Sequence, residues 1–184
     1  MHATDDRSTD EVLAIAADRA AEDDYPVVVA STTGATGEAA AEQIDRQVTV
    51  VGHAAGFDDP NTQEFDADAR AAIEAAGGTV LTGTMPFHTV NRAIDGRGGA
   101  SPSTVAADTL RLFGQGTKVA LEVVTIAADA GAIGVGQPVV GVGGTGEGCD
   151  TVLVVEAATS ADLFEARVRE VVAKPTDPAN MPFY

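Results

Sequence analysis

Short, unbroken apolar runs alternate with helix-patterned stretches along most of this chain. Val27-Val28-Val29-Ala30, Val48-Thr49-Val50-Val51 and Thr79-Val80-Leu81-Thr82 are each four residues long. Runs without a polar face suit strands covered on both sides, and such strands belong to parallel sheets held between helix layers. The intervening stretches fit that scheme. Ser8 to Glu11 has the form of a capping box, and Val12, Ile15, Ala16 and Arg19 follow at helical spacing, predicting a helix over about 10–22. An alanine-rich helix is expected around Glu38–Arg46, and another from about Asp66 to Ala76, closing on Gly77-Gly78.

Further along, residues 83–99 read as a long irregular segment, of the kind that is often functional in a compact domain. Ser101 offers an N-cap with Pro102 at the first helical position, and Gly114 marks that helix's end. Lys118–Ala130 is rich in β-branched residues, yet its length and its Val119/Val123/Ala127 spacing predict a buried helix. Gln137–Val142 and Thr151–Val155 read as strands. A last amphipathic helix is expected over about Ala161–Ala173, on Leu163, Phe164, Val168 and Val171, before a Pro-rich tail. The 184 residues fit one α/β domain with its core over about 10–174, and no internal repeat divides it. Right-handed crossovers would put every strand-to-helix turn on one sheet edge, so the site is expected at the carboxyl ends of the strands.

Charge narrows the partners. Eleven basic residues against 28 acidic ones give a net charge of −17, which repels nucleic acid and anionic membranes alike. Lys118 and Lys174 are the only lysines, Trp is absent, and the pI is near 4.2. A solvated acidic surface of this kind suits a salt-loaded cytosol, where screening removes self-repulsion, so a halophilic source is expected. Cys149 has no intramolecular partner, and Met1-His2-Ala3-Thr4-Asp5-Asp6 lacks the basic flank and apolar stretch of an export signal; a cytoplasmic location follows as an expectation.

Two bends stand out as candidate ligand sites. Ser31-Thr32-Thr33-Gly34-Ala35-Thr36-Gly37 joins a strand to a helix amino terminus with more hydroxyls than a cap uses, which favours phosphate or another anion over a plain cap. It lacks the lysine of a nucleotide-triphosphate loop. Gly141-Val142-Gly143-Gly144-Thr145-Gly146 spells the dinucleotide fingerprint but leads into a strand rather than a helix, so a glycine turn against which a ligand can lie is the better reading, with a merely flexible turn close behind. His53 follows the second strand and could bind a ligand, act as a general base, or simply end the strand; His88 is a weaker candidate. No metal-spaced histidine pair or Cys/His cluster is present, so no metal is expected. Arg92 and Arg97 are candidates for a ligand anion, Asp58, Asp59 and Glu64 read as solvated loop charges, and Glu122 and Asp129 share a helix face from which they could brace the site.

Val27–Gly34 as V-V-V-A-S-T-T-G, Gly83-Thr84, Asn91-Arg92-Ala93-Ile94 and Lys118–Gly131 as K-V-A-L-E-V-V-T-I-A-A-D-A-G resemble the stand-alone archaeal proteins related to the C-terminal α/β domain of pyruvate kinase. The likeness runs over about residues 10–174. It implies a three-layer α/β/α fold with a five-stranded, mostly parallel sheet. It also implies a serine/threonine loop that takes a phosphate, here Ser31, Thr32, Thr33, Gly34 and Thr36. Free-standing relatives hold flavin mononucleotide (FMN), so the resemblance implies FMN or another phosphorylated small molecule, its body near His53, Gly83, Thr84, Arg92, Gly143, Gly144 and Thr145. Ala35 stands where many relatives carry arginine. The kinase reaction is not carried over, since its active site belongs to a barrel this chain lacks. Two rival readings stay open: a small oxidoreductase or hydrolase using His53 as its catalytic group, and a sugar-phosphate-sensing regulatory subunit, with homo-oligomerisation compatible with each.

Overall fold

The computed structural model describes residues 1–99 and 101–182. In chain order the elements are β1 His2–Ala3, α1 Thr9–Asp23, β2 Val27–Ala30, α2 Ala35–Gln43, β3 Val48–Gly52, α3 Ala67–Ala75, β4 Thr79–Thr82, α4 Thr89–Asp95, α5 Pro102–Arg111, α6 Gln115–Asp129, β5 Pro138–Gly143, β6 Thr151–Glu156 and β7 Arg167–Lys174, with short 3₁₀ turns at Ser160–Glu165 and Pro178–Asn180. All seven strands join in one sheet of order β1-β7-β6-β5-β2-β3-β4.

The α/β class is therefore as expected, but the sheet is seven-stranded and mixed rather than five-stranded and mostly parallel. The pairs β5–β2, β2–β3, β3–β4 and β1–β7 are parallel, whereas β5–β6 and β6–β7 are antiparallel. Two elements account for the extra strands. The start of the chain lies outside the core expected over about 10–174, yet His2 and Ala3 pair with Ala173 and Lys174. The expected last helix is a 3₁₀ turn followed by β7. Its apolar spacing misleads for a physical reason: register shifts opposite Val152/Leu153 and Val154/Val155 insert extra residues into β7, so Val168 and Val171 pair with Val155 and Leu153 at a three-residue interval. Bulges of this kind replace the period of two by a spacing that mimics a helix.

Helices cover both sheet faces. On one, α1, α2 and α3 place Val12, Leu13, Ala16, Ala40, Ala69 and Ile73 against Val27, Val29, Val48, Val50, Val140 and Val142. On the other, α6 packs Ala120, Val123, Val124 and Ala127 against Val28, Val139, Leu153 and Val155. Adjacent strand residues face opposite layers, which is why the central strand β2 is apolar at every position. The expected capping box is present, with Ser8 and Glu11 satisfying each other's backbone amides at the start of α1. Ser101 precedes α5 as expected, but its hydroxyl meets Ser103 Oγ at 2.9 Å instead of capping the helix. The segment read as irregular holds α4. Among the described residues no helix is long and apolar enough to cross a membrane.

This topology creates one singular edge. The helix-linked strands step from β2 outward to β4, and the chain then returns over the opposite face to β5, on the other side of β2. The winding reverses between β2 and β5, so their carboxyl ends border a crevice.

Candidate functional site

The register Val29↔Val142 sets the turn after Ala30 beside the turn after Gly143. Both contribute to a cavity of about 930 Å³, lined by Ser31, Thr32, Thr33, Ala35 and Thr36 from the first turn and by Gly144, Gly146, Glu147 and Gly148 from the second. His53, Phe57, Met85, His88, Lys118 and Glu122 complete much of the wall. The two bends, more than 100 residues apart in sequence, thus meet at one place.

Within the hydroxyl-rich bend the residues divide by task. Ser31 is buried, and its Oγ accepts from the amides of Gly34 and Gly37, each at 3.2 Å, so this hydroxyl shapes the turn. Gly34 has φ +109°, and a Cβ there would lie 2.6 Å from Ala69 Cβ; it permits the turn and seats α2 against α3 without lining the cavity. Thr32, Thr33 and Thr36 remain on the wall. Gly34 supplies no side-chain cap to α2, and among the described residues no acceptor takes the amides of Thr33, Ala35 and Thr36. A helix amino terminus with unanswered amides carries partial positive charge.

His53 is held at both ring nitrogens. Nδ1 lies 2.9 Å from Glu64 Oε2 and Nε2 lies 3.3 Å from Thr32 Oγ1. Glu64 is thus a half-buried partner of the imidazole rather than the solvated loop charge expected, while Asp58 and Asp59 are exposed. The His53 ring also rests on Phe57, with centroids 4.2 Å apart, and Phe57 on His88 at 4.9 Å. Burial, followed by the nearby Lys118 charge, holds the His88 imidazole below its ordinary pKa, so this wall residue favours its neutral form.

Lys118 and Glu122 form a buried ion pair one helical turn apart on α6, each side chain 2% exposed. Glu122 Oε1 accepts from the Phe87 amide at 2.8 Å, tying the segment after β4 to α6, and Lys118 Nζ lies 5.9 Å from the Phe87 ring centroid. Glu122 therefore braces the site as expected. Asp129 does not, because it accepts from the Ser160 amide at 2.8 Å, far along the same helix.

Several expected site residues sit behind the wall or beside it. Arg92 donates to the Phe57 carbonyl at 2.8 Å and lies over that ring at 5.7 Å, steadying an aromatic of the wall instead of facing the cavity. A Cβ on Gly83 would meet Ile126 Cγ2 at 2.5 Å, and one on Gly143 would meet the Gly116 carbonyl at 2.3 Å, so both glycines serve close packing on α6. Thr84 and Thr145 neighbour wall residues without lining the cavity. Arg97 donates to Ala93 on the surface. Sequence reasoning gives no site role to Lys118, Phe57, Met85 or Arg111, and it reads Glu64 as a solvated charge. For Lys118 a signal existed: a lysine followed four residues later by glutamate, within an otherwise apolar helix. No protein-family model matches this chain.

Proposed function

We propose that this protein binds a phosphorylated small molecule, with its phosphate at the amino end of α2 and its body across the cavity toward the Gly144–Gly148 turn. One observation carries the reading: Thr33, Ala35 and Thr36 line the cavity while their amides have no acceptor among the described residues. The cationic side chains nearby do not supply the attraction, because Lys118 is paired with Glu122 and Arg111 meets Asp108 at 2.7 Å. The amides and hydroxyls therefore have to hold the anion.

FMN is the ligand that the resemblance to stand-alone relatives of the pyruvate kinase C-terminal domain implies, and membership of that group is part of the proposal. A cavity near 930 Å³ with a wall of Phe57, Met85 and His88 suits a planar ring system as well as a phosphate. When bound, a flavin supplies the redox chemistry; the chain's own residues orient it and exclude water.

The test compares FMN with riboflavin, which lacks the phosphate, by calorimetric titration in molar salt. FMN is expected to bind at least about tenfold more tightly, a difference of about 1.4 kcal/mol. Ala35→Glu places a carboxylate at the helix amino end, which favours the helix but repels phosphate, and is expected to abolish binding without lowering the melting temperature. Ala35→Arg is expected to tighten it. Equal affinity for FMN and riboflavin, or no binding of either, removes the reading.

A further inference from the structure

The phosphate reading leaves unexplained why Thr32, His53 and Glu64 form a single hydrogen-bonded chain at the cavity wall. A carboxylate can only accept, so the His53 Nδ1–H donates to Glu64 Oε2 across 2.9 Å. In the neutral imidazole this leaves Nε2 bare, and the Thr32 hydroxyl, 3.3 Å away, is then the donor to it. A hydroxyl, an imidazole and a carboxylate linked in this order form an activated nucleophile, its base and the group that orients the base. Thr32 lies on the turn between β2 and α2, with the unanswered amide of Thr33 next to it and those of Ala35 and Thr36 one turn further. Both Thr32 and His53 line the cavity, so a substrate atom has access to them.

We propose that Thr32, His53 and Glu64 catalyse hydrolysis of a carboxylic ester. His53 Nε2 takes the proton of Thr32 Oγ1 as that oxygen attacks the ester carbonyl carbon. The carbonyl oxygen becomes an oxyanion facing the α2 amino terminus, where the amides stabilise it. Collapse breaks the bond to the leaving oxygen, which receives the proton from His53 and departs as the alcohol, leaving an acyl ester on Thr32. Water then attacks that ester, giving its proton to His53, and the same proton returns to Thr32 as the acid leaves. The sum is ester plus water to acid plus alcohol. An acyl group fits this donor set better than a phosphoryl group, because a tetrahedral acyl intermediate develops a single negative charge and the neighbouring cations are already paired. The proposal rests on the ligand reading in one respect: it uses the same amides, so inorganic phosphate is expected to compete with the ester.

The experiment uses the full chain in molar salt with p-nitrophenyl butyrate as probe. The native protein is expected to hydrolyse it, and rapid acid quench is expected to trap one butyryl group, mapped to Thr32 by peptide mass spectrometry. His53→Ala and Thr32→Ala are expected to lose at least about a hundredfold in kcat/KM. Glu64→Gln, nearly the same shape, is expected to lower kcat with little change in KM, and Thr32→Ser is expected to retain activity. Melting curves establish that each variant is folded; if His53→Ala is not, Glu64→Gln decides. Absence of turnover by the native protein overturns the proposal, as does kcat that is undiminished in Thr32→Ala or in Glu64→Gln. The two readings fail separately: Thr32-dependent hydrolysis without FMN binding removes only the ligand reading, and FMN binding without hydrolysis removes only this one.

Discussion

The two sides of β5 use the same sheet for opposite ends. Toward β4, every strand leaves at the same edge and returns through a helix, because parallel neighbours cannot be joined by a tight turn. The connections after β2, β3 and β4 therefore pile up together, and they supply Thr32, His53, Phe57, Met85 and His88 to the cavity. Toward β1, antiparallel pairing sends the β6–β7 connection to the far edge, and no described residue beyond Gly148 lines the cavity. This side contributes the turn Gly144–Gly148, mainly glycine backbone with Glu147, and the start of α1 at Thr9 and Asp10. Chemistry thus follows from strand direction: one half collects side chains at an edge, and the other provides a floor and ties down the chain's ends.

If this division holds, damage at the seam between α6 and the sheet should be large and should reach the site. Lys118→Met leaves Glu122 buried without its cation, and a loss of about 3–5 kcal/mol is expected. Adding Glu122→Leu should recover most of that stability while leaving the Phe87 amide without its acceptor, so chemical unfolding of the double variant should approach the native curve while ligand affinity falls. A Lys118→Met protein as stable as the native one would show that the ion pair is not holding the seam. Gly143→Ala comes next. Its Cβ would meet the Gly116 carbonyl at 2.3 Å and the Ala120 amide nitrogen at 2.6 Å, both backbone atoms that cannot swing aside. Overpacking of this sort costs about 1–3 kcal/mol, and here it pushes α6 off the sheet. The expected signature is a lowered melting temperature together with weakened ligand binding.

How far the sequence exposes this arrangement differs between the halves for physical reasons. In the parallel half each strand is a compact apolar run bounded by caps and turns, all local signals, and β2, β3, β4 and α6 stand close to where their spacing predicts them. In the other half the bulges in β7 disguise its period, and β1 exists only through pairing with residues about 170 positions away. The site divides in the same way. The hydroxyl-rich turn and His53 are legible as residue types at a strand end, whereas Glu64 meets His53 through an irregular loop that has no periodicity to reveal the contact. Lys118 was within reach of inspection, since a charge pair inside an apolar helix has to be buried together. That Gly143 and Arg92 support the wall rather than form it depends on distances of a few ångström that no spacing encodes.

The smallest expected effect lies at the tied-down ends and is visible mainly in its dependence on pH. The Asp5 carboxylate accepts from the Thr176 hydroxyl at 2.7 Å, the Asp177 amide at 2.9 Å and the Asn180 side chain at 3.2 Å, fastening the tail after β7 to the segment after β1. These bonds, led by the Thr176 hydroxyl, hold the carboxyl well below its ordinary value of 3.8. Because the folded-state value is the lower one, its contribution to stability is complete above the ordinary value and is lost as pH falls through the folded one. Asp5→Asn should therefore lower the melting temperature by a constant, small amount near neutrality, and the gap to the native protein should narrow only below about pH 4. Hydrogen bonds, unlike long-range charge attraction, persist in molar salt, so the gap should also survive there. FMN affinity should be unchanged, because none of Asp5, Thr176 or Asp177 reaches the cavity. A loss of affinity on Asp5→Asn would break the division of labour, since it would couple the scaffolding half to the site.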